Sequence, residues 1–175
     1  MKAFFMEVTS KRELEKGARF TLIALIVFSL AYALPYSVLP WTLFEAWTMH
    51  SSALALNLMG FDARTVSSEG FFIKTESTTA GIIELCTGYL EFVVLSAFIL
   101  ASEDRTLRRR VKGVLQGLAF ILVLNPLRIA VTFSALATQG VAVADFIHNT
   151  LFKLSLFAVI FGFYAWWYLG LSRKK

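Results

Sequence analysis

The chain has 175 residues, of which 57% are hydrophobic and only 17% charged, with 17 Lys+Arg against 12 Asp+Glu and a net charge of +5. Soluble domains carry about 25% charged residues and about half apolar ones, so the composition and a mean hydropathy of +0.66 argue against a water-soluble enzyme with one packed core. Its 17 Phe and 4 Trp rule out a disordered chain, and its single Cys rules out a disulfide scaffold.

What remains is an integral membrane protein, and the elements can be taken in chain order. A bilayer crossing needs about 20 apolar helical residues. The first candidate span covers 20–39 and stops at Pro40. Its Ala31-Tyr32-Ala33 also suits a leader-cleavage site, so the run reads as a retained span or a removed leader; the long polar lead and Pro35 favour retention. Residues 40–84 form the only large extracytoplasmic segment. Trp41 to Met59 has helical spacing, suited to an interfacial or partly buried helix, and Phe61 to Glu76 reads as a hairpin around Ser67-Ser68-Glu69-Gly70. The second span, 85–101, is short. The third covers 114–138, before Gln139-Gly140, and the fourth 143–171, with Trp166, Trp167 and Tyr168 as an aromatic belt at its inner end.

The basic residues orient these spans. Lys2, Lys11, Arg12, Lys16 and Arg19 precede the first; Arg105, Arg108, Arg109, Arg110 and Lys112 share one connector; Arg173, Lys174 and Lys175 end the chain. Basic clusters at span ends mark the cytoplasmic side and, placed so, are not a nucleic-acid surface. The expected fold is an all-α integral membrane protein: one domain over 1–175, four transmembrane helices with a short extracytoplasmic helix and hairpin insert. Both termini are cytoplasmic, in the cell membrane.

Polar residues that cost energy where they sit are the informative ones. Arg128 lies 16 residues beyond Lys112, which is roughly 24 Å of helix and so in the outer third of the hydrocarbon. It either snorkels to the outer headgroups or faces a polar cavity. Asn125-Pro126 stands just before it; the proline removes one helix hydrogen bond and frees a carbonyl about four residues back. Cys86 opens the second span in Glu84-Leu85-Cys86-Thr87-Gly88-Tyr89, where a helix N-terminus favours a thiolate and Gly88 leaves room for a substrate backbone. Taken alone it is more often a small apolar filler. His148 lies near the outer end of the fourth span, with Asp145 three residues earlier on the same face.

Topology puts Cys86, Arg128 and His148 at one depth on one side of the bilayer. A thiol, an imidazole and a guanidinium are what acyl transfer requires: nucleophile, proton carrier and oxyanion stabiliser. Glu91, five residues below Cys86, and Lys153, five below His148, share a second depth. Glu91 is expected to pair with Lys153 or Arg128, since an unpaired carboxylate there would be costly. The one Cys and two His, His50 and His148, lie on separate segments without ligand spacing, so no metal and no cofactor is expected.

These residues resemble the exosortase/archaeosortase family of membrane transpeptidases. The resemblance lies in Cys86-Thr87-Gly88, in Asn125-Pro126-Leu127-Arg128-Ile129 and in His148, over roughly Gly60 to Leu171. It implies Cys86, Arg128 and His148 as the catalytic set; Asn125, Glu91, Asp145 and Lys153, by their positions around these three, are read as supporting residues. It also implies the partners: secreted proteins ending in a short motif, an apolar helix and a basic tail, which are cut near the motif and transferred to a lipid or other surface acceptor. The chain departs from many relatives in its length and in Asn149-Thr150-Leu151-Phe152-Lys153, which lacks a glycine after His148. Two other readings stand beside this one. A membrane assembly protein or chaperone would grip a substrate helix without cutting it, and a transporter component would line a polar path with Arg128, Glu91 and Lys153.

Overall fold

The computed structural model describes residues 2–33 and 41–170. The end of the first apolar run, residues 34–39, its Pro40 stop, Leu171 and the C-terminal basic patch lie outside the described residues. The chain is mostly helical. Helix α1 (Lys2–Ala33) joins the polar lead and the apolar run into one rod. Then come α2 (Trp41–Leu58), a small sheet of β1 (Arg64–Ser67), β2 (Phe71–Lys74) and β3 (Thr79–Ile82), and a single 3-10 turn, Glu84–Cys86. Helices α3 (Tyr89–Ala101), α4 (Leu107–Gln139) and α5 (Val141–Phe157) follow. A wider π-type stretch, Ala158–Phe163, connects α5 without a break to α6 (Tyr164–Gly170).

Among the described residues, α4 is the one helix long and apolar enough to cross a membrane; α3 is apolar but shorter. The second apolar run therefore becomes a helix only at Tyr89, four residues later than its sequence suggests. Gly88 is the cause, since its φ of 75° lies in the left-handed region and the residues before it coil as a 3-10 turn. The π stretch explains why the fourth run is not one regular helix. Trp167 lies 19 residues after His148; one residue taken up by a π turn leaves about 18, or five full α-turns, so both fall on one face.

The 40–84 segment is richer than a helix and a hairpin. The hairpin exists, with Ser67 opposite Phe71 across the expected turn, but β3 adds a third antiparallel strand beyond β2. Short strands of Thr, Ala and Gly carry little pattern, which is why β3 escapes a sequence reading. Helix α2 ends in a Schellman cap: Gly60 (φ 91°) donates to the Asn57 carbonyl at 3.1 Å and Phe61 to that of Leu56 at 3.1 Å. The buried face of α2 (Met49, Ala53, Leu56) meets Ile73 and Ile82 of the sheet and Ile129, Ala130 and Phe133 of α4 in one cluster.

A second cluster forms at the far end of the bundle, where Leu95, Ile99 and Ile121 enclose Phe163 and Trp167. Trp167 is wholly buried and packs on Gly113, so it is a core residue and not part of a lipid-facing belt. The connector after α3 is stitched to α6: Ser102 shares a hydrogen bond with the Tyr164 hydroxyl (2.8 Å), and Tyr168 donates to Asp104 (2.7 Å). The basic residues of the connector and of the first turn of α4 do structural work as well. Arg105 lies 4.3 Å from the centre of the Tyr168 ring, and Arg110 donates to the Leu100 carbonyl at 2.7 Å.

Candidate active site

The end of the bundle opposite Trp167 is open. Helices α4 and α5, joined at Gly140 (φ 86°), line a cavity of about 280 Å3. Each contributes a stripe at i, i+3, i+4, i+7: Ile129, Thr132, Phe133 and Leu136 from α4, and Val141, Ala144, Asp145 and His148 from α5. Ala80, Gly81 and Ile82 of β3, with Cys86, form the third wall. Cys86 and His148 thus line one space from two segments 62 residues apart. Asp145 shares that lining and accepts a hydrogen bond from Asn149 at 3.1 Å.

Cys86 is held by its own backbone. Its amide donates to the Ile83 carbonyl (2.8 Å), which closes the 3-10 turn, and its carbonyl accepts from Asn125 Nδ2 (2.6 Å). Thr87 tightens the exit, because its hydroxyl donates to the Glu84 carbonyl (2.7 Å) and accepts from the Tyr89 amide (3.3 Å). Gly88 permits the contact between the two elements. A Cβ there would lie 2.9 Å from Ile121 and 3.2 Å from Asn125. The space at Gly88 is therefore filled by α4, and the expectation that it admits a substrate backbone is corrected.

Arg128 does not line the cavity, although its neighbour Ile129 does. Its side chain is buried, and Nη1 reaches Glu91 Oε1 at 3.3 Å. One face of α4 thus meets the Cys86 segment twice in a helical turn, with Asn125 on the Cys86 carbonyl and Arg128 on Glu91. Of the two partners expected for Glu91, the structure gives Arg128. Lys153 stands in α5, but its side chain lies outside the described residues. No group of three or more His, Cys, Asp or Glu suited to a metal occurs among the described residues.

Two features of the site carry no motif of their own. One is β3, which walls the cavity. The other is Trp47 of α2, whose indole N–H donates to the Leu122 carbonyl at 3.1 Å. Leu122 lies four residues before Pro126, so this is the acceptor that the missing proline N–H leaves over. The freed carbonyl was legible; its donor was not. Nearby, burial and the neighbouring Glu84 carboxylate push the Glu45 carboxyl above the usual carboxylate range.

A family model described as transmembrane exosortase matches residues 15–166. The chain belongs to the transmembrane exosortase family. No curated protein and no solved structure matches it. The exosortase match reaches back into α1 and so includes α2 and the whole sheet, further than the stretch from Gly60 on which the motifs alone rest. Every wall of the cavity lies inside it.

Proposed function

We propose that this exosortase is a membrane-embedded thiol transpeptidase that cuts the C-terminal sorting signal of secreted proteins and passes the new C-terminus to a surface or lipid acceptor. The observation that carries the reading is the meeting of Cys86 and His148 on one cavity, with the Cys86 carbonyl held by Asn125. The Cys86 sulfur, its proton taken by His148, attacks the scissile carbonyl carbon. The C–N bond breaks, the amine leaves with the proton carried by His148, and a thioester remains. An acceptor hydroxyl, amine or water then attacks that thioester, gives its proton to His148 and releases the thiol. Arg128, one layer behind the wall, supplies positive charge for the thiolate and the developing oxyanion, and Glu91 fixes its position.

In this reading the four apolar runs cross the membrane, both termini are cytoplasmic, and the cavity opens on the extracytoplasmic side. Helix α3 is 13 residues long, or roughly 20 Å, so the Cys86 turn completes its crossing and sits within reach of the interface. A path for ions or solutes through Arg128 and Glu91 is disfavoured, because the two groups are buried on each other. The test is processing of a tagged secreted protein that carries a motif, apolar helix and basic tail. Cys86→Ala should leave it at full length, and the wild-type protein should accumulate a hydroxylamine-sensitive substrate adduct. Continued processing by Cys86→Ala would defeat the reading.

A further inference from the structure

The sheet ends at the cavity. In the order β1-β2-β3, β3 has one strand partner among the described residues, and three of its four residues line the cavity beside Cys86 and His148. The turn before β3 fixes which of its main-chain groups are taken. Thr75 N–H donates to the Thr78 carbonyl at 2.8 Å, so Thr75 and Thr78 are a hydrogen-bonded pair. In an antiparallel ladder such pairs alternate with non-bonded ones. With Lys74 opposite Thr79, Ile73 opposite Ala80, Phe72 opposite Gly81 and Phe71 opposite Ile82, the main chains of Ala80 and Ile82 are directed to β2. The N–H and C=O of Gly81 point the other way, along the free edge. A free strand edge is a template for another extended chain, and a bare glycine lets that chain come close.

We propose that the polypeptide to be cut binds as a fourth strand on β3, paired through the main chain of Gly81, with its scissile carbonyl delivered to Cys86. This rests on the reading of Cys86 as the nucleophile. Main-chain pairing supplies affinity that does not depend on sequence, and selectivity then comes from side chains that alternate along the strand. The facing walls, Ile129, Phe133, Val141 and Ala144, are apolar and the space is about 280 Å3, so the paired segment carries small side chains where it faces α5.

The test uses the full-length protein in lipid nanodiscs and a defined probe, acetyl-tetraalanyl chloromethyl ketone. The Cys86 sulfur bonds to the methylene carbon, the C–Cl bond breaks and chloride leaves, and intact mass reads the rate. Four analogues each carry one N-methylated alanine. The same alternation turns the main chain of Thr79 outward with that of Gly81, so edge pairing predicts a period of two: methylation at alternate alanines slows labelling about tenfold, and at the alanines between them changes it less than twofold. Iodoacetamide labels Cys86 equally throughout and monitors the thiol. Equal rates for all four analogues, equal slowing of all four, or labelling by iodoacetamide without labelling by any ketone overturns the edge-strand mode. Failure of the thiol reading itself is seen separately, as processing that survives Cys86→Ala.

Discussion

Helix α4 meets the last helical rod twice, and the two crossings are built in opposite ways. At the Trp167 end, α4 presents Gly113 and Gly117, and large side chains fill the space they leave. A Cβ at Gly113 would lie 2.3 Å from the Trp167 indole nitrogen, and one at Gly117 would lie 3.5 Å from Phe163, with Leu95 of α3 closer still at 2.8 Å. At the Cys86 end Ala144 of the rod, with Ala80 and Gly81 of β3 beside it, faces larger residues on α4 across a gap that no side chain closes. Close packing is the default inside proteins, and an open pocket lined by a few polar groups is the default candidate for a binding site. One crossing is filled, and the other is left open; under the proposed function that opening is where the substrate sits.

The sharpest way to break the contrast is to build the first crossing into the second. Ala144 is buried on the cavity wall, so Ala144→Phe should fill the gap as Trp167 fills its own. Processing should fall at least about 100-fold, with no loss of thermal stability, because a misplaced substrate costs rate while a side chain that fills an existing cavity does not strain the fold. A variant that processes at the normal rate would show that the cavity is not where substrate binds.

Next in size is the layer behind the cavity. Glu91→Gln leaves Arg128 buried without its carboxylate, and breaking such a pair costs about 3–5 kcal/mol. The double variant Glu91→Leu/Arg128→Leu should recover most of that stability, since two apolar groups can replace a buried pair, yet stay inactive. Thermal unfolding in detergent measures the first effect and substrate processing the second. Wild-type processing by the double variant would reduce the pair to a structural role. At the closed crossing, Gly113→Ala should destabilise by about 1–3 kcal/mol through overpacking. Trp167→Phe in that background should relieve it, and activity per folded molecule should be unchanged throughout.

The same contrast sorts what the sequence reveals. The spacing of Asn125 and Arg128, the offset of Glu91 from Cys86 and the position of His148 all follow from helical rise and from the cost of charge in an apolar run. So does the hairpin around Glu69-Gly70. Three features do not follow. The start of α3 at Tyr89 depends on the backbone conformation of Gly88, which composition does not report. The burial of Trp167 depends on Gly113, 54 residues earlier, and an aromatic near a span end reads equally well as lipid-facing. Strand β3 is too short and too small-chained to announce itself, yet it walls the site.

Trp47 offers the finest test, because its contribution can be switched off from either partner. Its indole N–H meets the one α4 carbonyl, that of Leu122, which Pro126 leaves without an α-helical donor. Trp47→Phe keeps the ring and removes only the donor, so it should cost about 1 kcal/mol, the worth of an ordinary hydrogen bond. Pro126→Ala restores an N–H to the helix four residues after Leu122 and makes the indole redundant. In that background Trp47→Phe should cost next to nothing, and the coupling in the double-mutant cycle should account for nearly the whole single-variant effect. An equal cost in both backgrounds would mean that Trp47 acts by packing alone. Because Asn125 stands beside the proline and holds the Cys86 carbonyl at 2.6 Å, restoring the helix hydrogen bond there should also move the thiol. Pro126→Ala should therefore slow processing even where it leaves stability intact, so the proline serves the open crossing and not the closed one.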